Sequence, residues 1–421
     1  MSLGMTIAEK ILARCSGQSR VIPGDIVVAK VDRLLITGRR FAEFAELAGQ
    51  VWEPERVVVV FDHVAPPPTV AAANYFANAR KMAKQFGIEH WYEIGKGVCH
   101  QVFLEEGFAR PGELLVGSDS HTCTAGAFNV AARGINAETP YVLAHGETWF
   151  RVPESIKFVL KGQCQAGVYA KDVVLHIART YGDTVGLNRS IEFTGPGLAA
   201  MSLDERIIFS NMGIELGAKF AIQPADATMM AYVSARTTNP LRPVDPDEGA
   251  VYVDVYELDM STIPPLFSCP HEVGHVKSVE EITPVKVDQA FIGSCANGRY
   301  GDLEQAAQIL KGRKTHPNTR LLVTPASKKI FDRALASGII KILSDAGAII
   351  TSPDCGPCPG FHMGLLADGE VCVASQNRNY KGRMGSSSAR IYLGSAASVA
   401  AAAIEGRLAD PRKYLEGIPH E

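Results

Sequence analysis

Short runs of wholly apolar residues, separated by longer amphipathic stretches, set the tightest limit on what this chain can fold into. Such runs occupy residues 57–61, 114–116, 290–292, 321–323, 348–350 and 371–373, and Gly, Pro, Ser or Asp commonly bounds them. A strand with one wet face alternates apolar and polar residues, whereas one covered on both faces does not. Between the runs lie helix candidates at 69–86, 301–311 and 328–336, the last with Ser327 placed to cap it. Strand, helix and strand in succession predict an α/β protein with mainly parallel sheets. A chain of 421 residues exceeds one domain at roughly 150 residues each. Pro-rich joints at 151–155 and 264–284 place boundaries near 153 and 274, giving expected domains 1–153, 154–274 and 275–421.

Charge and composition narrow the function classes. Lys and Arg total 42 against 45 Asp and Glu, for a net charge of -3. No basic excess is present to hold nucleic acid irrespective of sequence, or an anionic membrane surface. The longest apolar runs are far short of the roughly 20 residues that a spanning helix needs. Residues 1–8 lack a basic segment followed by an apolar core, so no secretory leader is expected. Nine cysteines at low density, an odd number, argue against a disulfide framework and for a reduced, cytoplasmic protein.

The reactive residues fall in a pattern. Five expected strands each run into a polar constellation: Asp62-His63, Ser118-Asp119-Ser120-His121, Ser294-Cys295, Asp354-Cys355-Gly356-Pro357-Cys358 and Asn377-Arg378-Asn379. The carboxyl edge of a parallel sheet is where ligands bind. The Cys355/Cys358 pair reads as a dithiol redox couple, as two ligands of an iron–sulfur cluster or as half of a zinc site. The redox reading needs a helix at Cys358, yet Pro359 and Gly360 follow it. Cys295, at an equivalent strand end, offers a third thiolate, and no comparable fourth is found. Three protein thiolates on a four-iron cluster would leave one iron open to a substrate oxygen. Asp62-His63, His100 and Asp119-Ser120-His121 set carboxylates beside imidazoles, which suits proton donation to a leaving hydroxyl. A hydrolase elbow is excluded, because Gly117-Ser118-Asp119-Ser120-His121 lacks the second glycine. Arg378 and Arg383 suit bidentate recognition of carboxylates.

Taken together, these residues resemble the aconitase superfamily, most closely the large subunits of 3-isopropylmalate dehydratase and homoaconitase. The resemblance rests on Asp62-His63, on residues 117–123 and 293–298, on Cys355-Gly356-Pro357-Cys358 and on residues 377–383, in the family's order. It implies three α/β/α domains of the aconitase type, the third carrying the cluster cysteines. It also implies a [4Fe–4S] cluster on Cys295, Cys355 and Cys358, with one labile iron that no protein group ligates. The substrate would be a hydroxy di- or tricarboxylic acid, isomerised by dehydration and rehydration, with 3-isopropylmalate of leucine biosynthesis as the first expectation. Asp62, His63, His100, Asp119, His121 and Glu215 would be catalytic. Ser120, Asn211, Asn377, Arg378 and Arg383 would bind substrate. The family's serine base lies on a swivelling domain that is expected to be absent here. A separate small subunit would carry it, in a heterodimer or heterotetramer. Two departures bear on substrate: residues 34–40 replace the family's Asp-x-Thr segment, and Ala296 replaces a Thr. They leave a homoaconitase or dimethylmalate-type substrate as the alternative. A thiol oxidoreductase using Cys355 and Cys358 is the remote one.

Overall fold

In the computed structural model, residues 4–282 and 284–415 are described; the first residues of the N-terminal stretch, Thr283 of the second joint and the last residues lie outside them. The chain forms two compact units. The first comprises the residues up to Ile94, Cys99–Lys161 and Thr184–Leu258, and the second Gly95–Val98, Gly162–Asp183 and the residues from Asp259 on.

In the first unit, β1 (Ile26–Lys30) pairs antiparallel with a later strand, and β2 (Arg33–Thr37), β3 (Val57–Val60), β4 (His90–Tyr92), β5 (Leu114–Gly117) and β6 (Ala131–Gly134) form one sheet. Its order is β4-β3-β2-β5-β6 and every neighbouring pair is parallel. Val57, Val58, Val59 and Val60 are all fully buried, which is why the run shows no alternation. The partner of β1 is β7 (Glu147–Arg151). A second sheet then joins β8 (Ser155–Lys161), β9 (Ser190–Thr194), β10 (Phe220–Ile222) and β11 (Val255–Asp259) in the order β10-β9-β8-β11.

The second unit holds a seven-stranded sheet of β12 (Leu266–Ser268), β13 (Val276–Ser278), β14 (Gln289–Ile292), β15 (Arg320–Val323), β16 (Ile349–Ile350), β17 (Val371–Ala374) and β18 (Arg390–Leu393). The order is β13-β12-β18-β17-β14-β15-β16, parallel from β18 to β16 and antiparallel at β12. The helix Lys328–Ala336 has the bounds expected from sequence, and Ser327 Oγ accepts the Ile330 N–H at 3.1 Å as its cap. The Ala-rich helix Ala396–Glu405 buries Ala396 to Ala403 against its neighbours, since small side chains permit close approach.

Both parallel sheets reverse direction once. In the first, β2, β3 and β4 run outward to one side and β5 returns to the other side of β2. In the second, β14, β15 and β16 run one way and β17 returns beside β14. At such a reversal the two connecting loops part and leave a crevice at the carboxyl ends of the strands. Asp119 and His121 follow β5, while Cys295 and Asn377 follow β14 and β17.

Candidate active site

In the first unit, three imidazoles converge on Asp119. The chain leaves β5 and enters the short helical segment Ser120–Phe128, capped by Asp119, whose Oδ1 accepts the His121 N–H at 2.8 Å. The same oxygen lies 2.7 Å from His100 Nε2 and 3.6 Å from His121 Nδ1, and Oδ2 lies 3.5 Å from His63 Nε2. Burial by itself would push this carboxyl up. The hydrogen bonds from His100 and His121, with the charges of His100 and His63, outweigh burial and hold it well below its ordinary range. Asp119 therefore stays ionised and acts as the anchor of the three rings.

Each outer imidazole is braced again. His63 Nδ1 lies 2.8 Å from Asp62 Oδ1, and Asp62 Oδ2 accepts the Cys99 N–H at 2.7 Å. Asp62 is fully buried, which opposes ionisation, yet His63 and the Cys99 backbone hold its carboxyl below the usual value. His121 Nε2 meets Glu215 Oε1 at 2.9 Å. An imidazole with a carboxylate on each nitrogen is fixed in orientation and can take up or pass on a proton. Asn211 is also buried, but its amide donates to Thr124 Oγ1 at 2.8 Å, so it secures the segment behind His121. Ser120 is half-buried at the start of that segment.

The atypical 34–40 stretch is β2 followed by the helix Gly38–Ala48. Arg40 is committed there: it pairs with Glu43 at 2.9 Å, donates to Asn136 Oδ1 at 2.6 Å and lies over the Phe44 ring. Ser118 Oγ accepts the Thr37 N–H at 3.0 Å, tying the ends of β2 and β5 together beside Asp119.

In the second unit, Cys295 sits on the one-turn helix Ser294–Asn297 directly after β14. The Arg299 guanidinium, buried beneath it, donates to the carbonyls of Ala296 at 2.5 Å and Cys295 at 2.7 Å. The Cys295 thiol donates to Asn377 Oδ1 at 3.5 Å. Cys355 and Cys358 lie in the loop after β16, shaped by Asp354, whose Oδ1 accepts the Gly356 N–H at 2.6 Å. Arg383 Nη2 is 3.6 Å from Cys358 Sγ. Val98, Cys295 and Cys355 pack together as a small apolar cluster, and each of the three cysteines is 6% exposed. None of the nine cysteines is in a disulfide. Residues 351–365 contain no helix, so the helix that the dithiol redox reading needs at Cys358 is absent.

Three nearly buried thiols from two loops, one beside a guanidinium, form a donor set that fits an iron–sulfur cluster. Soft thiolates are its ligands. Arg378 is half-buried and its carbonyl accepts from Gln376 Nε2 at 2.8 Å. Sequence reasoning missed Arg299 and Lys171, and it quoted Asp354 and Asn379 within their motifs without giving them a role. Arg299 adjoins the Cys295 motif and could have been found there; Lys171 lies some 200 residues from the loop it touches and leaves no local signal.

Comparisons with known proteins come to the same place. The description of the aconitase family (aconitate hydratase) matches residues 41–406. A Methanopyrus kandleri protein described as 3-isopropylmalate dehydratase large subunit 1 is 45% identical over 98% of this chain and 100% of its own length. A Mycolicibacterium smegmatis 3-isopropylmalate dehydratase large subunit is 44% identical over 98% of each chain. A probable methanogen homoaconitase large subunit from Methanothermobacter thermautotrophicus is 42% identical over 97% of this chain and 98% of its own.

Proposed function

Because this chain belongs to the aconitase family, we propose that it is the large subunit of a hydro-lyase of the 3-isopropylmalate dehydratase type, acting in leucine biosynthesis. The observation that carries this reading is the trio of nearly buried thiols Cys295, Cys355 and Cys358, none of them in a disulfide, with Arg383 against Cys358. These three would hold a [4Fe–4S] cluster, leaving one labile iron without a protein ligand. Such a cluster supplies Lewis acidity toward the hydroxyl and a carboxylate of the substrate.

The chain's own residues supply the rest. Hydroxide is a poor leaving group, and a proton delivered as the C–O bond breaks lowers that barrier. His63, His100 and His121, anchored on Asp119 and braced by Asp62 and Glu215, hold and move this proton. Arg378 and Arg383 take the substrate carboxylates, and Asn377 and Ser120 add hydrogen bonds. The base for the neighbouring C–H belongs to a small subunit carrying the swivel domain, which docks to form a heterodimer or heterotetramer. Nine cysteines without a disulfide suit the reducing cytoplasm, and no described helix is long and apolar enough to cross a membrane.

The test is iron and acid-labile sulfide per chain after anaerobic reconstitution, followed by turnover of 2- and 3-isopropylmalate with candidate small subunits. About four of each per chain, with a three-iron EPR signal on mild oxidation, is the expected result. Little iron with two titratable thiols would overturn the reading. Arg383→Lys should raise KM for the hydroxy diacid by roughly tenfold or more, because an ammonium cannot reproduce a bidentate fork. Unchanged kinetics would remove Arg383 from substrate binding.

A further inference from the structure

The loop that follows β17 is clamped at both ends by buried polar side chains, Lys171 from a distant helix and Asn379 from the strand-end motif itself. Lys171, near the start of the helix Ala170–Tyr181, is fully buried. Its ammonium donates to two successive carbonyls, Ser375 O at 3.3 Å and Gln376 O at 2.7 Å. A buried charge is tolerated only when hydrogen bonds replace its water. Here they come from the two peptide units at which the chain leaves the sheet. The adjacent Asp172 faces elsewhere, accepting the N–H groups of Leu266 and Tyr169 at 2.9 Å each. At the far end of the loop Asn379, fully buried, donates through Nδ2 to Ser268 Oγ at 3.0 Å and to the carbonyls of Cys269 at 2.7 Å and Glu272 at 3.3 Å. Between the two clamps stand Asn377 and Arg378 alone.

We infer that Lys171 and Asn379 are positioning residues, which hold Asn377 and Arg378 in the conformation that receives a substrate carboxylate. The inference rests on the hydro-lyase reading and deepens it. Two carbonyls tied to one ammonium fix both peptide planes flanking Gln376, and with them the direction in which the chain presents Asn377. Ser375 carries a further tie, its Oγ accepting the Gly293 N–H at 3.0 Å, so the segment bearing Cys295 is braced from the same point. A guanidinium fork binds a carboxylate through two parallel hydrogen bonds, and this geometry tolerates little rotation of its backbone.

The test uses the reconstituted holoenzyme with its small subunit and the variants Lys171→Met and Asn379→Leu, both close in volume to the native residues. KM for the hydroxy diacid should rise by about tenfold or more, the scale of a lost charge-assisted hydrogen bond, while kcat falls less than about threefold. Iron and sulfide per chain should stay at the wild-type level, and calorimetric affinity for the diacid should fall in step with KM. A folded variant with unchanged KM and affinity would overturn the inference. So would loss of cluster and kcat at constant KM, which would assign the clamps to the thiol segment instead. Should Lys171→Met not accumulate as folded protein, Asn379→Leu decides by the same criteria. Wild-type enzyme inactive on every diacid would instead count against the hydro-lyase reading, so the two failures are distinguishable.

Discussion

Cys355→Ser is expected to yield a folded chain that binds little iron and turns over substrate at least about 10³-fold more slowly, since Lewis-acid stabilisation is worth several kcal/mol and each 1.36 kcal/mol is a factor of ten. Serine differs from cysteine by one atom and would fill the same nearly buried space beside Val98 and Cys295, so the sheet around it should survive. What is lost is the soft thiolate, which a hydroxyl of far higher pKa cannot replace. Cys295→Ser and Cys358→Ser should behave alike. Cys372 is the internal control: it is fully buried within β17, and burial pushes its thiol far up. Cys372→Ala should cost some stability and keep the iron. Iron analysis of the four variants separates the outcomes. A full complement in any of the three ligand variants would refute the ligand assignment, and loss in the control would indicate that iron merely follows folding.

Asp119→Asn should lower kcat by roughly 10²–10⁴, the range attributed to positioned acid–base groups, with KM changed little. The carboxylate accepts from His100 at 2.7 Å, lies 3.5 Å from His63 and receives the His121 N–H at 2.8 Å. An amide of equal size presents a donor to one of these rings and removes the charge that orients them all. The pH dependence has a definite sign. Folding holds this carboxyl below its ordinary value of 3.8, so the stability from its ionised form is complete above that pH and is lost as the pH falls through the depressed value. Asp119→Asn should therefore be less stable than wild type at neutral pH, and the difference should shrink in acid. Urea midpoints at several pH values measure this. A constant difference would mean that Asp119 is not preferentially ionised by folding. Glu215→Gln removes a single brace on His121 and should cost less.

Much of the site was legible in the residues themselves. Strand ends could be read because a run buried on both faces is apolar without alternation, and β3, β5, β14 and β17 all end at or within a residue or two of the run expected for them. The carboxylate–imidazole pairs and the cysteine spacing are local, so their chemistry survives in the bare string. Arg39 and Arg40, in the 34–40 segment that departs from the family's pattern, were less informative. Structure shows Arg40 engaged with Glu43 and Asn136, and a charge near a motif does not announce which neighbours will claim it.

From the sequence alone one obtains an α/β protein of parallel sheets, the donor atoms of a thiolate site and three imidazoles with carboxylates to steer them. Periodicity and side-chain chemistry operate over a few residues, and that is all these conclusions need. The tertiary structure decided which strand ends become neighbours. It set the reversals between β2 and β5 and between β14 and β17. It also brought His63, His100 and His121 to one carboxylate, and Lys171 and Asn379 to the two ends of one loop. Strand order and long-range hydrogen bonds are set by the packing of whole elements, whose energies are sums over contacts distant in sequence. No local pattern encodes them.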